Sequence, residues 1–124
     1  MIGNNINLYN AGDKESHSMI TLAFSENKIP AVKIYLSEDS TKQLSIKEIV
    51  KTNERDAYVK INSRLNLIEG YDENMKKTGS VYNSVIEYGS FFTIPTGYST
   101  LVFDGKLNSL NKEVSVIEYD YYYF

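Results

Sequence analysis

Met19-Ile20-Thr21-Leu22-Ala23-Phe24-Ser25 decides the fold. Ile20, Leu22 and Phe24 fall on one side of an extended chain while Thr21, Ala23 and Ser25 fall on the other, the period of two that a half-buried antiparallel strand requires. Upstream lies the polar stretch Leu8-Tyr9-Asn10-Ala11-Gly12-Asp13-Lys14-Glu15-Ser16. Gly12 can take a positive φ at no steric cost, and Asn10, Asp13 and Ser16 have side chains able to bond nearby backbone N–H groups, so the stretch reads as a turn feeding the strand. Downstream, Val32, Ile34 and Leu36 repeat the alternation, as do Ala57, Val59 and Ile61, with Tyr58 and Lys60 pointing away. Asn27-Lys28-Ile29-Pro30 separates two of these runs, and Pro95-Thr96-Gly97 divides residues 91–94 from 100–103. All seven glycines lie outside these runs or at their ends, where turns are expected. Helical spacing is scarce, and an all-β domain follows.

Residues 41–50 fit a short helix nearly as well as a strand. The strand is preferred because Leu44 and Ile46 alternate with Ser45 and Lys47, and Ser37-Glu38-Asp39-Ser40 before them has the composition of a hairpin loop. Residues 71–83 form the longest polar segment, read as a surface loop suited to partner contact, with Tyr71 and Asp72 as candidate contact residues. At the end of the chain, Val114 and Val116 set one phase of alternation, whereas Ile117, Tyr119, Tyr121 and Tyr123 set the other. Either both faces are covered there or a β-bulge near Val116-Ile117 exchanges them. The plain reading is a terminal strand with partly exposed tyrosines. The sharper one is a contact surface built from Tyr119, Tyr121, Tyr122 and Tyr123, since tyrosine offers large area with a polar tip.

With 124 residues, one domain covering residues 1–124 buries a sufficient core without crosslinks. There is no cysteine, hence no disulfide framework and no thiolate zinc site. The apolar runs are too short to span a bilayer, and Met1-Ile2-Gly3-Asn4-Asn5 lacks the pattern of a signal peptide, so a soluble chain with no membrane partner is expected. A net charge of −3 with thirteen scattered basic residues argues against nucleic acid, because phosphate binding rests on clustered Lys and Arg. Eleven tyrosines and five phenylalanines, with no tryptophan, suit a sheet with amphipathic faces.

Catalytic chemistry has little to stand on. His17, the only histidine, sits between serines at a turn-to-strand junction, and no spacing supplies the partners of a nucleophilic triad. Glu118 and Asp120 would share a face of a regular strand, a placement that any two acids at i and i+2 would satisfy; charges resisting edge pairing explain them better than glycoside hydrolysis. Asp72, Glu73 and Asn74 supply oxygen ligands without a full calcium-loop pattern, and no cofactor or metal is expected. A non-enzymatic protein is the reading.

Asn10, Gly12, Asp13, Glu15 and Ser16 also carry a resemblance. They match an Asn-x-Gly-Asp-x-Glu-Ser segment that precedes a strand in the C-terminal galectin-like domain of siphophage distal tail proteins. The likeness continues through Ala57-Tyr58-Val59-Lys60-Ile61-Asn62-Ser63, where the family usually has Asp-Ser, through Asn74 to Lys77 and then Thr78-Gly79, similar to the family's Asn-rich segment ending in Thr-Gly, and through Ile94-Pro95-Thr96-Gly97-Tyr98-Ser99-Thr100-Leu101, similar to the family's Pro-x-Gly turn and late strand. It departs at His17-Ser18, at Ser80-Val81-Tyr82, and at the end, where Glu118-Tyr119-Asp120-Tyr121-Tyr122-Tyr123-Phe124 replaces a Pro-Arg-Trp-like strand.

The resemblance implies an antiparallel β-sandwich of jelly-roll or galectin-like type. It further implies a structural phage or prophage component at the virion tail tip, made in the bacterial cytoplasm and holding other tail or baseplate proteins. The ring-forming N-terminal domain of the family is absent, so the chain is expected to be an excised domain or a short standalone relative, monomeric or weakly self-associating. The alternative is a carbohydrate-binding module for host cell-wall glycan. Galectin-type recognition would demand a Trp and a His, Asn and Arg constellation, against no Trp and only Arg55 and Arg64 here.

Overall fold

The computed structural model describes residues 4–107 and 112–117. The alternation read at residues 19–25 becomes strand β2 (His17–Ala23), whose residues are half-buried and buried in turn along its length. It follows β1 (Asn4–Asn10) and precedes a two-residue strand, β3 (Lys28–Ile29). A hairpin of β4 (Val32–Leu36) and β5 (Asp39–Ile46) comes next, then the short β6 (Ile49–Val50). β7 (Tyr58–Asn62), β8 (Leu67–Tyr71) and β9 (Lys77–Val81) form a meander. A 3-10 turn at Asn83–Val85 leads to β10 (Ile86–Gly89), followed by β11 (Gly97–Gly105) and β12 (Lys112–Ile117).

Two five-stranded antiparallel sheets result, one in the order β1-β11-β4-β5-β10 and the other in the order β12-β2-β7-β8-β9, with β3 and β6 as a separate pair. Both sheets send every second side chain to one shared core. Ile34, Leu36, Leu44, Ile46, Leu101 and Phe103 come from the first, and Ile20, Leu22, Val59, Ile61 and Ile68 from the second. Ile29, Ile49, Ile94 and Leu107 close its ends. Each such side chain contributes roughly 1.5–3 kcal/mol by leaving water. The molecule is an all-β antiparallel sandwich.

The first two strands cross from one sheet to the other, and so do the last two. β1 pairs with β11, from Asn4 opposite Phe103 to Asn10 opposite Gly97, while β2 pairs with β12, from Leu22 opposite Lys112 to His17 opposite Ile117. Segments far apart in sequence are thus neighbours in both layers.

Several expectations need correction. Residues 71–83 are not one loop: Tyr71 ends β8, a tight turn covers 72–76, and β9 pairs with β8 before the 3-10 turn. β9 escaped notice because it is a sheet edge whose residues are exposed or half-buried, so no apolar alternation marks it. Residues 91–94 do not join a sheet; they make one antiparallel bridge, Ser16 to Ile94. The β4–β5 loop is two residues, Ser37 and Glu38, since Leu36 already pairs with Asp39. Gly70 lies inside β8, a strand with neighbours on both sides. No bulge occurs at Val116-Ile117, where β12 stays in register with β2 to its last residue. Of the 41–50 segment, residues 41–46 are strand, as expected, within β5; the chain leaves the sheet at 47–48, and 49–50 form β6 in the separate pair with β3.

Candidate functional site

β2 starts at one end of the sandwich and finishes at the other, and each end carries a distinct surface. At the far end, Phe24 and Glu26 of the β2–β3 turn, the 51–57 connection and the β8–β9 turn enclose a groove of about 660 Å³. The connection is shaped locally: Asn53 accepts from Arg55 N–H through its side chain at 3.0 Å and from Asp56 N–H through its carbonyl at 2.9 Å, which turns Asp56 inward. Phe24 N–H donates to the Ala57 carbonyl and Ala57 N–H to the Tyr71 carbonyl, so the connection is stitched to the ends of β2 and β8.

Asp56 is fully buried. Its carboxylate accepts from the Thr78 hydroxyl on one oxygen and from the Tyr82 hydroxyl on the other. Tyr82 in turn accepts from the Thr52 N–H at 3.1 Å and the Thr52 hydroxyl at 3.3 Å. Burial, reinforced by the Asp56 carboxylate, pushes the Tyr82 phenol above its ordinary value. Gly70 makes the space: a β-carbon there would lie 2.5–2.8 Å from the Asp56 carboxyl atoms. A buried carboxylate of this kind needs every donor it has, because an unpaired charge in the interior is far more costly than a paired one.

Asp72 lines the groove as part of the β8–β9 turn. Its side chain accepts from the Asn74 N–H at 2.8 Å and the Lys76 N–H at 3.0 Å, while Met75 takes a left-handed conformation with φ 61°. Chiefly the Lys76 N–H, with help from the Asn74 N–H and the Arg55 charge, holds the Asp72 carboxyl below its usual range. Lys51 reaches over the Phe24 ring at 5.4 Å, and Arg55, Glu54 and Glu73 complete a wet, mixed-charge rim. Among the described residues, no three acidic or histidine side chains gather to hold a metal ion.

The other end carries an exposed aromatic pair. Tyr9 of β1 and Tyr98 of β11 stand directly opposite each other with ring centroids 4.5 Å apart, and they are 57 % and 83 % exposed. The next outward pair is Asn7 and Thr100, joined by a hydrogen bond from the Thr100 hydroxyl to the Asn7 carboxamide oxygen at 3.2 Å. Glu38 of the β4–β5 loop accepts the Thr100 N–H at 3.1 Å, and that bond above all, with the Ser37 hydroxyl, keeps its carboxyl below the usual range.

Beneath this pair the polar turn read at residues 10–16 acquires its reasons. The buried Asn10 side chain donates to the carbonyls of Lys14 and Ile94 and accepts from Gly12 N–H. Ser16 and Ile94 exchange both backbone hydrogen bonds, at 2.9 and 2.7 Å. Glu15 accepts from Lys42 at 2.6 Å and from the Thr93 hydroxyl at 2.7 Å. Gly97, at φ 80°, reverses the chain into β11.

Of the two described residues expected to contact a partner, Tyr71 and Asp72, the structure brings Asp72 to a surface groove. Tyr71 is a correction: it is buried at 8 %, and the Lys60 ammonium covers its ring at 4.6 Å, so it packs instead of presenting a face. Tyr119, Tyr121, Tyr122 and Tyr123 lie outside the described residues, as do Glu118 and Asp120. His17 opens β2; the Ser16 hydroxyl donates to the His17 carbonyl at 3.5 Å, and the backbone of Ser18 is held by Ser63, whose Oγ accepts the Ser18 N–H at 2.8 Å and donates to the Ser18 carbonyl at 3.1 Å. Sequence reasoning missed Asp56 and Gly70, whose pairing is non-local, and it missed Tyr9 and Tyr98 because their meeting depends on strand register.

The class defined by fold and surfaces is an antiparallel β-sandwich with a charged groove at one end and an aromatic pair at the other. No protein-family model, curated protein or solved structure matches the chain.

Proposed function

We propose that this chain is a structural attachment module of a phage or prophage tail tip, a galectin-like sandwich that holds other baseplate proteins and breaks no bonds. One observation carries the reading. The two stretches most responsible for the resemblance to distal tail proteins, residues 10–16 and 94–97, engage each other through Asn10 to Ile94, 84 residues apart, and through the Ser16–Ile94 bridge. Short matches that arise by accident have no reason to meet in space; matches that encode one corner of a fold do. The paired crossings, β1 to β2 beside β11 to β12, support a jelly-roll class for the sandwich.

Attachment suits the surfaces. Ends of a sandwich tolerate varied loops while the sheets keep them rigid, so a partner docks without the module rearranging. The groove around Asp72 offers both charge signs, a pattern that selects a partner by complementarity more than by area. Antibody raised against the purified chain, applied to virions from a lysogen carrying its coding sequence, is expected to label the tail tip in electron micrographs. Labelling of the capsid, or of no particle when the chain is made in the same cells, would reject the reading.

A further inference from the structure

The Tyr9–Tyr98 pair has no role in the core and none in the loop network beneath it. Inward of these residues lie Leu8 and Ser99, both buried, so the strands need no aromatic side chain on the outer face for their packing. Tyr98, 83 % exposed, instead holds a large ring in water on a strand that pairs on both sides. Its setting is firm. β1 and β11 are in register over their whole contact, Asn10 ties the adjoining loop to Ile94, and Gly97 fixes the turn. An exposed, preorganised aromatic platform loses little freedom when it binds.

Size and charge then select the occupant. Two tyrosines at these exposures present on the order of 300 Å², well short of the roughly 800 Å² that each partner of a stable protein interface buries. Among the described residues, the other exposed large apolar side chains are Val50, Leu65, Met75, Val81 and Tyr88; they belong to other elements, Tyr88 to β10 at the opposite edge of the sheet from β1. A ring face beside a carboxamide and a carboxylate is suited to a pyranose. The sugar's C–H face lies on the aromatic ring, and its hydroxyls meet groups that accept and donate. Asn7 is engaged through its oxygen by Thr100, which leaves the NH2 branch as the donor end, and Glu38 is held against the Thr100 N–H as an acceptor. The charge bonded into the patch is negative, which disfavours anionic polymers and favours neutral ones.

We propose that Tyr98, Tyr9, Asn7 and Glu38 form a subsite for one pyranose unit of a neutral glycan, with Tyr98 as its stacking platform. This goes beyond tail-tip attachment and does not depend on it. The site differs from the terminal tyrosines, and it lies at the opposite end of the sandwich from the groove.

The test is a titration of the full chain with neutral tetrasaccharides of glucose, galactose and N-acetylglucosamine, followed by backbone-amide NMR and tyrosine fluorescence. At least one is expected to bind saturably, with shifts centred on residues 7–9 and 98–100. Tyr98→Ala should weaken that binding about tenfold, Tyr98→Phe should largely retain it, and neither should move the melting temperature. Absence of a saturable response to all three sugars at about 10 mM, a bound in the weak range of affinities, overturns the proposal. So does binding that survives Tyr98→Ala, or sedimentation showing that Tyr98→Ala dissolves a dimer, which would assign the rings to a second copy.

Discussion

The two ends of this sandwich are organised by opposite chemistry. Around Asn10 and Ile94, neutral amides and backbone groups hold the chain, and the ion pair of Glu15 with Lys42 sits at the surface. Around the groove, the organising group is the buried Asp56 carboxylate, served by Thr78 and Tyr82 and set against the Gly70 backbone. The first arrangement is a set of separable bonds, each worth about a kilocalorie or so. The second is a network in which removing one member strands a charge in the interior. Loops at the first end should therefore give way locally, whereas damage behind the groove should reach the core, because Tyr82 belongs to it.

The strongest way to break this contrast is Gly70→Ala. The new methyl would meet a carboxylate that cannot retreat, so we expect a loss of about 3 kcal/mol and a fall in Tm of about 10 °C or more. The double substitution with Asp56→Ala should be less damaging than the sum of the two singles, since the methyl then fills the space the carboxylate vacates. Additive losses in urea denaturation would show that the two residues are not coupled.

Asn10→Ala is the corresponding cut at the other end. It removes two donated bonds and one accepted bond of a buried side chain, and it should cost about 1–2 kcal/mol. Hydrogen exchange should quicken in residues 11–16 and 92–97 while β7 and β8 stay protected. Uniform quickening would mean that this end is as deeply coupled as the groove.

How far these features could be read in advance follows from their range. Alternation at Ile20, Leu22, Val32, Ile34, Val59 and Ile61 is a local pattern, and it located the central strands because one face of each sheet is dry. β9 carries no local signal, because an edge strand need not alternate apolar with polar residues, and Lys77-Thr78-Gly79-Ser80-Val81 does not. Gly70 was invisible as an interior strand residue, since the reason for it is a carboxylate 14 positions away. Asp72 was legible as a surface acid from its polar neighbours, whereas Tyr71, one residue earlier, was not legible as buried: strand phase alone separates them. Tyr9 and Tyr98 form a pair only through the register of β1 on β11.

Acid offers a gentler comparison. The Lys42 and Thr93 bonds lower the Glu15 carboxyl from its usual value of 4.5, so the unfolded chain binds that proton more readily than the folded one. Stability from this group is thus present above pH 4.5 and is lost as the pH falls through the lowered folded value. Glu38, Asp39 and Asp72 are lowered too and act in the same direction. Urea midpoints taken from pH 7 down to about 3 should decline, and Glu15→Gln should flatten part of the decline. An unchanged slope would show that solvent already screens the pair.

The smallest effect is expected at Ser99, whose hydroxyl is buried with no partner among the described residues. Ser99→Ala should be neutral or stabilising by up to about 1 kcal/mol, because a desolvated group is removed with no bond lost. A loss above that in thermal melts would reveal a partner for the hydroxyl.

The pairing of β1 with β11 and of β2 with β12 has a kinetic consequence. Neither sheet is complete until the opening strands have found partners some 90 residues downstream, with Asn7 and Thr100 separated by 93 positions. Closing such loops is slow, and refolding should take milliseconds to seconds, with an all-β chain's sensitivity to crowding by its own kind. During synthesis β1 and β4 emerge before the β11 that will join them, and β2 before β12, so the nascent chain exposes raw hydrogen-bonding edges until β11 and β12 have been translated.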